Sequence, residues 1–226
     1  HHAGHFVTRQ VVSAVSQQKG LEGHNALYIN QKNGTFEEKS SQYGLNFSGF
    51  STQAAFFDYD HDGDLDCYLL NQSLQPNQNI RPAKGRADFD PHAGDRFYRN
   101  ENGAKFTDIS KEVGIYQSNL GYGLGISVAD FNNDGWEDVY IGNDFHENDY
   151  YYINTGKGRF VESGEKHFRH YSRFSMGNDA ADYDNDGQID LVTVDMLPDN
   201  EKILKTYGSD EQFDTYQYKI ISNGFQ

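Results

Sequence analysis

The sequence predicts an all-β fold made of repeated units of about four strands. Three observations predict it: an internal repeat, a strand pattern inside each repeat, and an aromatic content that offsets an acidic composition. The first copy of the repeat runs Leu27-Tyr28-Ile29-Asn30, Phe36, an acidic loop from Asp58 to Asp66, then Asn71. The second runs Phe97-Tyr98-Arg99-Asn100, Phe106, Asp130 to Asp138, Asn143. The third runs Tyr151-Tyr152-Ile153-Asn154, Phe160, Asp182 to Asp190, Asp195. The Asn-to-Phe step is 6 residues each time, the Phe-to-Asp step is 22, 24 and 22, and the loop's first Asp precedes the last residue by 13 in every copy. Chance does not keep such offsets, and a fixed period signals a repeat architecture.

Each copy reads as β-structure. Before the acidic loop stand Ala54-Ala55-Phe56-Phe57, Ile126-Ser127-Val128-Ala129 or Asp179-Ala180-Ala181; after it stand Cys67-Tyr68-Leu69-Leu70, Val139-Tyr140-Ile141-Gly142 or Leu191-Val192-Thr193-Val194. These are short, β-branched or aromatic runs bounded by Asp, Asn and Gly, the strand signal. Asn33-Gly34, Asn102-Gly103 and Gly156-Lys157-Gly158 mark hairpin turns between the Tyr-x-Asn and Phe segments. Four strands per unit is the blade pattern of a β-propeller. The shared Phe36, Phe106 and Phe160 are expected to fill the packing between blades, and Cys67, aligned with Val139 and Leu191, to be a small buried hydrophobe.

The organisation that follows is a segment 1–26, with a tag remnant at His1, His2, Ala3, Gly4 and His5; repeats 27–72, 97–143 and 151–195; a polar insertion 73–96; a connection 144–150; and a tail 196–226. Residues 6–19, with Val7, Val11, Val12 and Val15, fit a helix or a strand. The insertion holds Pro76, Pro82 and Pro91, and is either a partner site or a solvated spacer. In the tail, Asp199 and the pair Ser209 and Gln212 read as helix starts, giving a short helical C-terminal segment. Three units are fewer than the about four to eight blades of a closed propeller, so either the chain is part of a larger one, the favoured reading, or weak half-units at both ends help close it.

Composition removes several functions. Asp and Glu number 34 against 19 Lys and Arg, a formal charge of −15, which repels phosphate backbones and argues against nucleic-acid binding. Hydrophobic residues are only 36%, which alone suggests disorder, but 16 Tyr, 16 Phe and one Trp are not the composition of a disordered chain. No apolar run reaches the roughly 18 residues of a membrane helix. No signal peptide opens the chain, though a mature exported protein would also lack one. The single Cys67 excludes an internal disulfide and a cysteine-rich zinc site.

The acidic loops carry the chemistry. Each has the form D-x-[DN]-x-D-G-x-x-D, with side-chain oxygens at positions 1, 3, 5 and 9: Asp58, Asp60, Asp62 and Asp66; Asp130, Asn132, Asp134 and Asp138; Asp182, Asp184, Asp186 and Asp190. Position 7, Asp64, Trp136 or Gln188, is expected to add a backbone carbonyl. Glycine at position 6 (Gly63, Gly135, Gly187) permits a sharp turn at positive φ. Oxygen ligands in flexible geometry suit Ca²⁺ better than Mg²⁺, and zinc lacks its His and Cys ligands. Position 12 is Leu69, Ile141 or Thr193 where an EF-hand needs Glu, so three β-hairpin calcium sites are expected. The loops hold 13 of the 34 acids, so bound Ca²⁺ would neutralise much of the excess charge.

These loops resemble those of FG-GAP repeats, found in integrin α-subunit propellers and in bacterial VCBS-type proteins. Leu27 to Asn30 with Asn33 to Phe36, Phe174 to Asp179, and Asp195-Met196-Leu197-Pro198 resemble bacterial relatives of cartilage acidic protein, the FG-GAP proteins that carry an ASPIC/UnbV domain. The resemblance covers about residues 21 to 226. It implies a calcium-dependent β-propeller, extracellular or on the bacterial surface, with a binding or adhesion role and no established enzymatic activity. The glycine-rich FG-GAP segment is only loosely kept, as Gly49-Phe50, Gly121-Tyr122-Gly123 and Met176-Gly177.

Three functions compete. The first is a binding scaffold for a protein or glycan. The second is a propeller-based carbohydrate-active enzyme, and the third is a structural subunit of a surface complex. Enzyme signals are thin. His146-Glu147 lacks a second His at zincin spacing, no G-x-S-x-G occurs, and His167 and His170 lack a third ligand. Tyr150, Tyr151 and Tyr152 are candidates for stacking on sugars, although Tyr152 aligns with Tyr28 and Tyr98 and reads as core.

Overall fold

A computed structural model of the chain describes residues 23–74 and 83–196. The expected helix or strand over 6–19, the helix starts at Asp199 and Ser209, and the first part of the insertion fall outside them. The chain divides into two compact units, His1–Ser48 and Gly49–Gln226.

In the first unit, β1 (Tyr28–Asn30) and β2 (Phe36–Glu38) form an antiparallel hairpin in the register Tyr28↔Glu38. A one-turn helix α1 (Ser40–Tyr43) follows and ends on Gly44 at φ 77°. Phe36 does not fill a core as expected. It is 63% exposed, and among the described residues its hairpin is a two-stranded sheet with no further strand paired to it.

The second unit holds two four-stranded antiparallel meanders and one further hairpin. The first meander is β3 (Ser51–Phe57), β4 (Asp66–Asn71), β5 (Arg96–Asn100) and β6 (Phe106–Asp108). The second is β7 (Gly123–Ala129), β8 (Asp138–Asn143), β9 (Tyr150–Asn154) and β10 (Phe160–Glu162). The last hairpin is β11 (Ser175–Ala181) with β12 (Asp190–Asp195). This is the all-β, propeller-like fold that the repeat predicts. The sheets run out of phase with the sequence repeats: each meander takes its first two strands from the end of one repeat and its last two from the start of the next. Each inner hairpin also carries a bulge at the same place, at Ser51/Gln53, Gly123/Gly125 and Ser175/Gly177.

Strand β7 lies beside both β3 and β11. Thr52 Oγ1 donates to the Gly123 carbonyl at 2.7 Å, and the Ile126 amide donates to Gln53 Oε1 at 3.2 Å. Glycine makes this approach possible. A Cβ on Gly123 would meet Leu70 Cδ1 at 2.3 Å, and one on Gly125 would meet the Gly177 Cα at 2.9 Å. Between the meanders lies the aromatic core. Phe160 of β10 packs on Phe57 and Phe97 of the first meander, and Tyr68 of β4 on Tyr152 of β9. Phe160 therefore meets the expectation, whereas Phe106 is only half-buried against Phe56 of its own sheet. Tyr150, Tyr151 and Tyr152 are all buried, so none is a sugar-stacking platform.

Two one-turn helices, α2 (Ser110–Val113) and α3 (Gly164–His167), follow β6 and β10 as α1 follows β2. Each begins where an acid two residues ahead accepts its first amide: Ser40 N–H to Glu38, Ser110 N–H to Asp108, Gly164 N–H to Glu162. The described end of the insertion, with a 3₁₀ turn at Ala83–Ala87, is tied down. Arg86 Nε sits 2.6 Å from Glu147 Oε1 with both side chains largely buried, and the Asp90 amide donates to the Gln117 carbonyl.

Candidate metal centre

The three acidic loops join β3 to β4, β7 to β8 and β11 to β12, so all occupy the same place in successive hairpins. Their backbone follows one plan. Position 4 is left-handed at His61 (φ 59°), Asn133 (56°) and Asn185 (62°), and so is position 6 at Gly63 (94°), Gly135 (89°) and Gly187 (86°). The glycines thus adopt the conformation expected of them. The position-1 carboxylate accepts the amides of positions 5 and 6: Asp58 from Asp62 and Gly63, Asp130 from Asp134 and Gly135, Asp182 from Asp186 and Gly187. Position 5 accepts the amide of position 7, as Asp62 from Asp64, Asp134 from Trp136, and Asp186 from Gln188.

Positions 1, 3 and 9 converge. Carboxylate oxygens of Asp58, Asp60 and Asp66 lie within 4.8 Å of one another, as do those of Asp182, Asp184 and Asp190. Position 5 is not in these clusters. In the middle loop position 3 is Asn132, whose Nδ2 donates to Asp134 Oδ2 at 3.0 Å, so this loop brings one fewer carboxylate. The first loop brings one more, because Asp64 at position 7 is acidic.

The donor set fits a hard cation. Asp60 Oδ1 and both carboxylate oxygens of Asp64 are buried with no hydrogen-bond partner. Orphaned buried carboxylate oxygens cost several kcal/mol in order of magnitude unless a charge meets them (about 1–3 or more each). Burial, and then the neighbouring Asp62 and Asp58, raise the Asp60 carboxyl above its ordinary range. A divalent ion would relieve both effects together.

Position 9 does a second job. Asp66 is buried and accepts the amides of Tyr59 and Asn100; Asp138 is buried and accepts the Asn154 amide and the Tyr151 hydroxyl. Each therefore pins its loop to the third strand of its sheet. Burial pushes the carboxyl of Asp66 up to about 7 and that of Asp138 up to about 6. The repeated Asn adds a tie to the first loop in both copies: Asn100 Nδ2 donates to the Leu65 carbonyl of its own sheet's loop, Asn154 Nδ2 to the Tyr59 carbonyl of the neighbouring meander's loop, and their Oδ1 atoms cap the next turns at Gly103 and Gly156.

A second acidic pair, at the other end of the strands, was not singled out by sequence reasoning. Asp95 accepts the Tyr68 hydroxyl and the Asn71 amide; Asp149 accepts the Tyr140 hydroxyl and the Asn143 amide. Both are buried, and burial raises them to about 7 and about 6. The available signal was position: each stands two residues before the repeated aromatic pair, at Phe97 and Tyr151. Of the residues weighed as enzyme signals, Glu147 is paired with Arg86, and α3 ends at His167, three residues before His170.

Acidic hairpin loops repeated at one end of successive antiparallel meanders define a propeller-like repeat protein. The family model of the FG-GAP-like repeat matches residues 10–69, 87–141 and 130–193. The chain therefore belongs to the FG-GAP-like repeat family. Each match ends at loop position 12, at Leu69, Ile141 and Thr193, so the family repeat and the acidic loop share one phase. A search of curated proteins found no match.

Proposed function

We propose that the chain is a calcium-rigidified β-propeller scaffold of an exported or cell-surface protein, presenting its surface to a protein or glycan ligand. The observation that carries this reading is the repeated loop: one backbone plan three times, with carboxylates gathered at positions 1, 3 and 9 in the first and third copies and orphaned oxygens in the first. The proposed ligands are Asp58, Asp60, Asp62, Asp66 and position 7 at Asp64; Asp130, Asn132, Asp134, Asp138 and position 7 at Trp136; Asp182, Asp184, Asp186, Asp190 and position 7 at Gln188. Calcium fits this set because it accepts about 6–8 oxygens in irregular geometry.

The likeness to surface proteins related to cartilage acidic protein supports an extracellular, bacterial setting. The net charge of −15 disfavours nucleic acid. Among the described residues no helix is long and apolar enough to cross a membrane. The repeats 27–72, 97–143 and 151–195 are proposed as units of a larger propeller, since among the described residues β1–β2 and β11–β12 are two-stranded where the other sheets have four strands.

The test is a glycan and protein array, run with Ca²⁺ and with EDTA, beside a hydrolase activity screen. Binding that EDTA abolishes is the expected result. Turnover of a substrate would replace the scaffold reading with the enzyme one.

A further inference from the structure

The three loops touch one another in a regular way. Position 4 of the first loop meets position 7 of the second: the His61 ring lies flat on the Trp136 indole, with 4.1 Å between centroids and 9° between planes. His61 Nε2 is also 3.1 Å from Glu137 Oε2. Position 4 of the second loop meets position 7 of the third in the same sense, with Asn133 Nδ2 donating to Gln188 Oε1. His61 and Asn133 both hold left-handed backbone, a conformation that L residues adopt at a cost. Behind Trp136 there is no slack: a Cβ on Gly156, in the β9–β10 turn, would lie 2.7 Å from the indole. The Trp136 side chain is thus held between the first loop and its own meander.

We propose that the three metal loops fill cooperatively, because position 4 of the first loop clamps position 7 of the second, and position 4 of the second clamps position 7 of the third. This rests on the calcium reading, in which position 7 supplies a backbone carbonyl. Ordering position 7 costs conformational entropy when a loop binds its ion. A neighbour already ordered by its own ion holds that residue through His61 or Asn133, so the second ion binds more tightly. Such coupling is reciprocal by thermodynamic necessity. His61 and Asn133 are positioning residues in this scheme.

The test uses the full chain with ¹⁵N-glycine label, titrated with Ca²⁺ and followed by NMR. Gly63, Gly135 and Gly187 each donate their amide to the position-1 carboxylate of their own loop, so each reports one site. Asp58→Ala, or Asp62→Asn if the first variant does not fold, disables the first loop. With His61 present, the Gly135 midpoint is expected to rise at least threefold. In the His61→Ala background the same change is expected to leave it unmoved. His61→Phe, which keeps a ring for Trp136 to stack on, is expected to restore the threefold response. An equal response with and without His61, no response in either, or failure of the Phe rescue overturns the proposal. Glycine amides that never respond to Ca²⁺ would instead overturn the calcium reading itself, and the coupling with it.

Discussion

Single residues here serve both the sheet and the loop. Asp138 is a proposed ligand, yet it also satisfies the Asn154 amide and the Tyr151 hydroxyl in a buried place. Asp138→Ala should therefore destabilise the metal-free chain by about 2–4 kcal/mol, through two orphaned donors. Urea unfolding in EDTA measures this without the ion, and Asp138→Asn, which keeps an acceptor, should lose less. Asp95 contributes to the pH dependence, in the same direction as Asp66, Asp138 and Asp149, whose carboxyls burial also raises. Its folded pKa of about 7 lies above the ordinary aspartate value of about 3.9. Between these values the folded chain holds a proton that the unfolded chain releases, so stability falls as pH rises through this window. In EDTA the chain should melt higher at pH 5 than at pH 8, and Asp95→Asn should shrink that difference. Cys67 is buried, and burial pushes its thiol up to about 12, so a thiol reagent should label it only after unfolding. Its burial was legible from alignment with Val139 and Leu191. The buried role of Asp95 was not, since the sequence does not say which strand end a lone Asp meets.

At the scale of elements, the three loops share a backbone plan and differ in charge. The first carries five aspartates at its odd positions, the third four, and the second three with Asn132 in place of an acid. Because carboxylate count tunes calcium affinity, the expected order is first, third, second, read from the same glycine amides. The inner strands depend on missing side chains. Gly125→Ala would press a methyl on the Gly177 backbone at 2.9 Å and should cost about 1–3 kcal/mol, measured by thermal melting. Strands and hairpin loops were legible because short β-branched or aromatic runs bounded by Asp, Asn and Gly have few other solutions. The one-turn helices were not, because four residues carry no helical period. Their trace is local: an acid at Glu38, Asp108 or Glu162 two residues ahead and, in the first two, a left-handed glycine at Gly44 or Gly114.

For the whole molecule, the repeat was legible and its phase in space was not. The sequence unit begins at Tyr-x-Asn, whereas the sheet begins at the strand before the acidic loop, since hydrogen bonding joins β4 to β5 and β8 to β9 across the repeat boundary. This stagger ties successive repeats together; among the described residues β11–β12 is a two-stranded sheet, with Tyr183 78% exposed where the aligned Tyr59 is buried. The acidic charge acquires a structural meaning at the same scale: in the proposed reading, the acids gathered in three loops on an aromatic-packed sheet scaffold are held by bound cations. The central claim is tested most directly by melting the EDTA-treated chain alone, with Ca²⁺, and with Mg²⁺. The account predicts a melting temperature that rises by several degrees with Ca²⁺ in a saturable way, rises less with Mg²⁺, and loses part of the Ca²⁺ gain in each of Asp62→Ala, Asp134→Ala and Asp186→Ala. A melting temperature that Ca²⁺ leaves unchanged would contradict it.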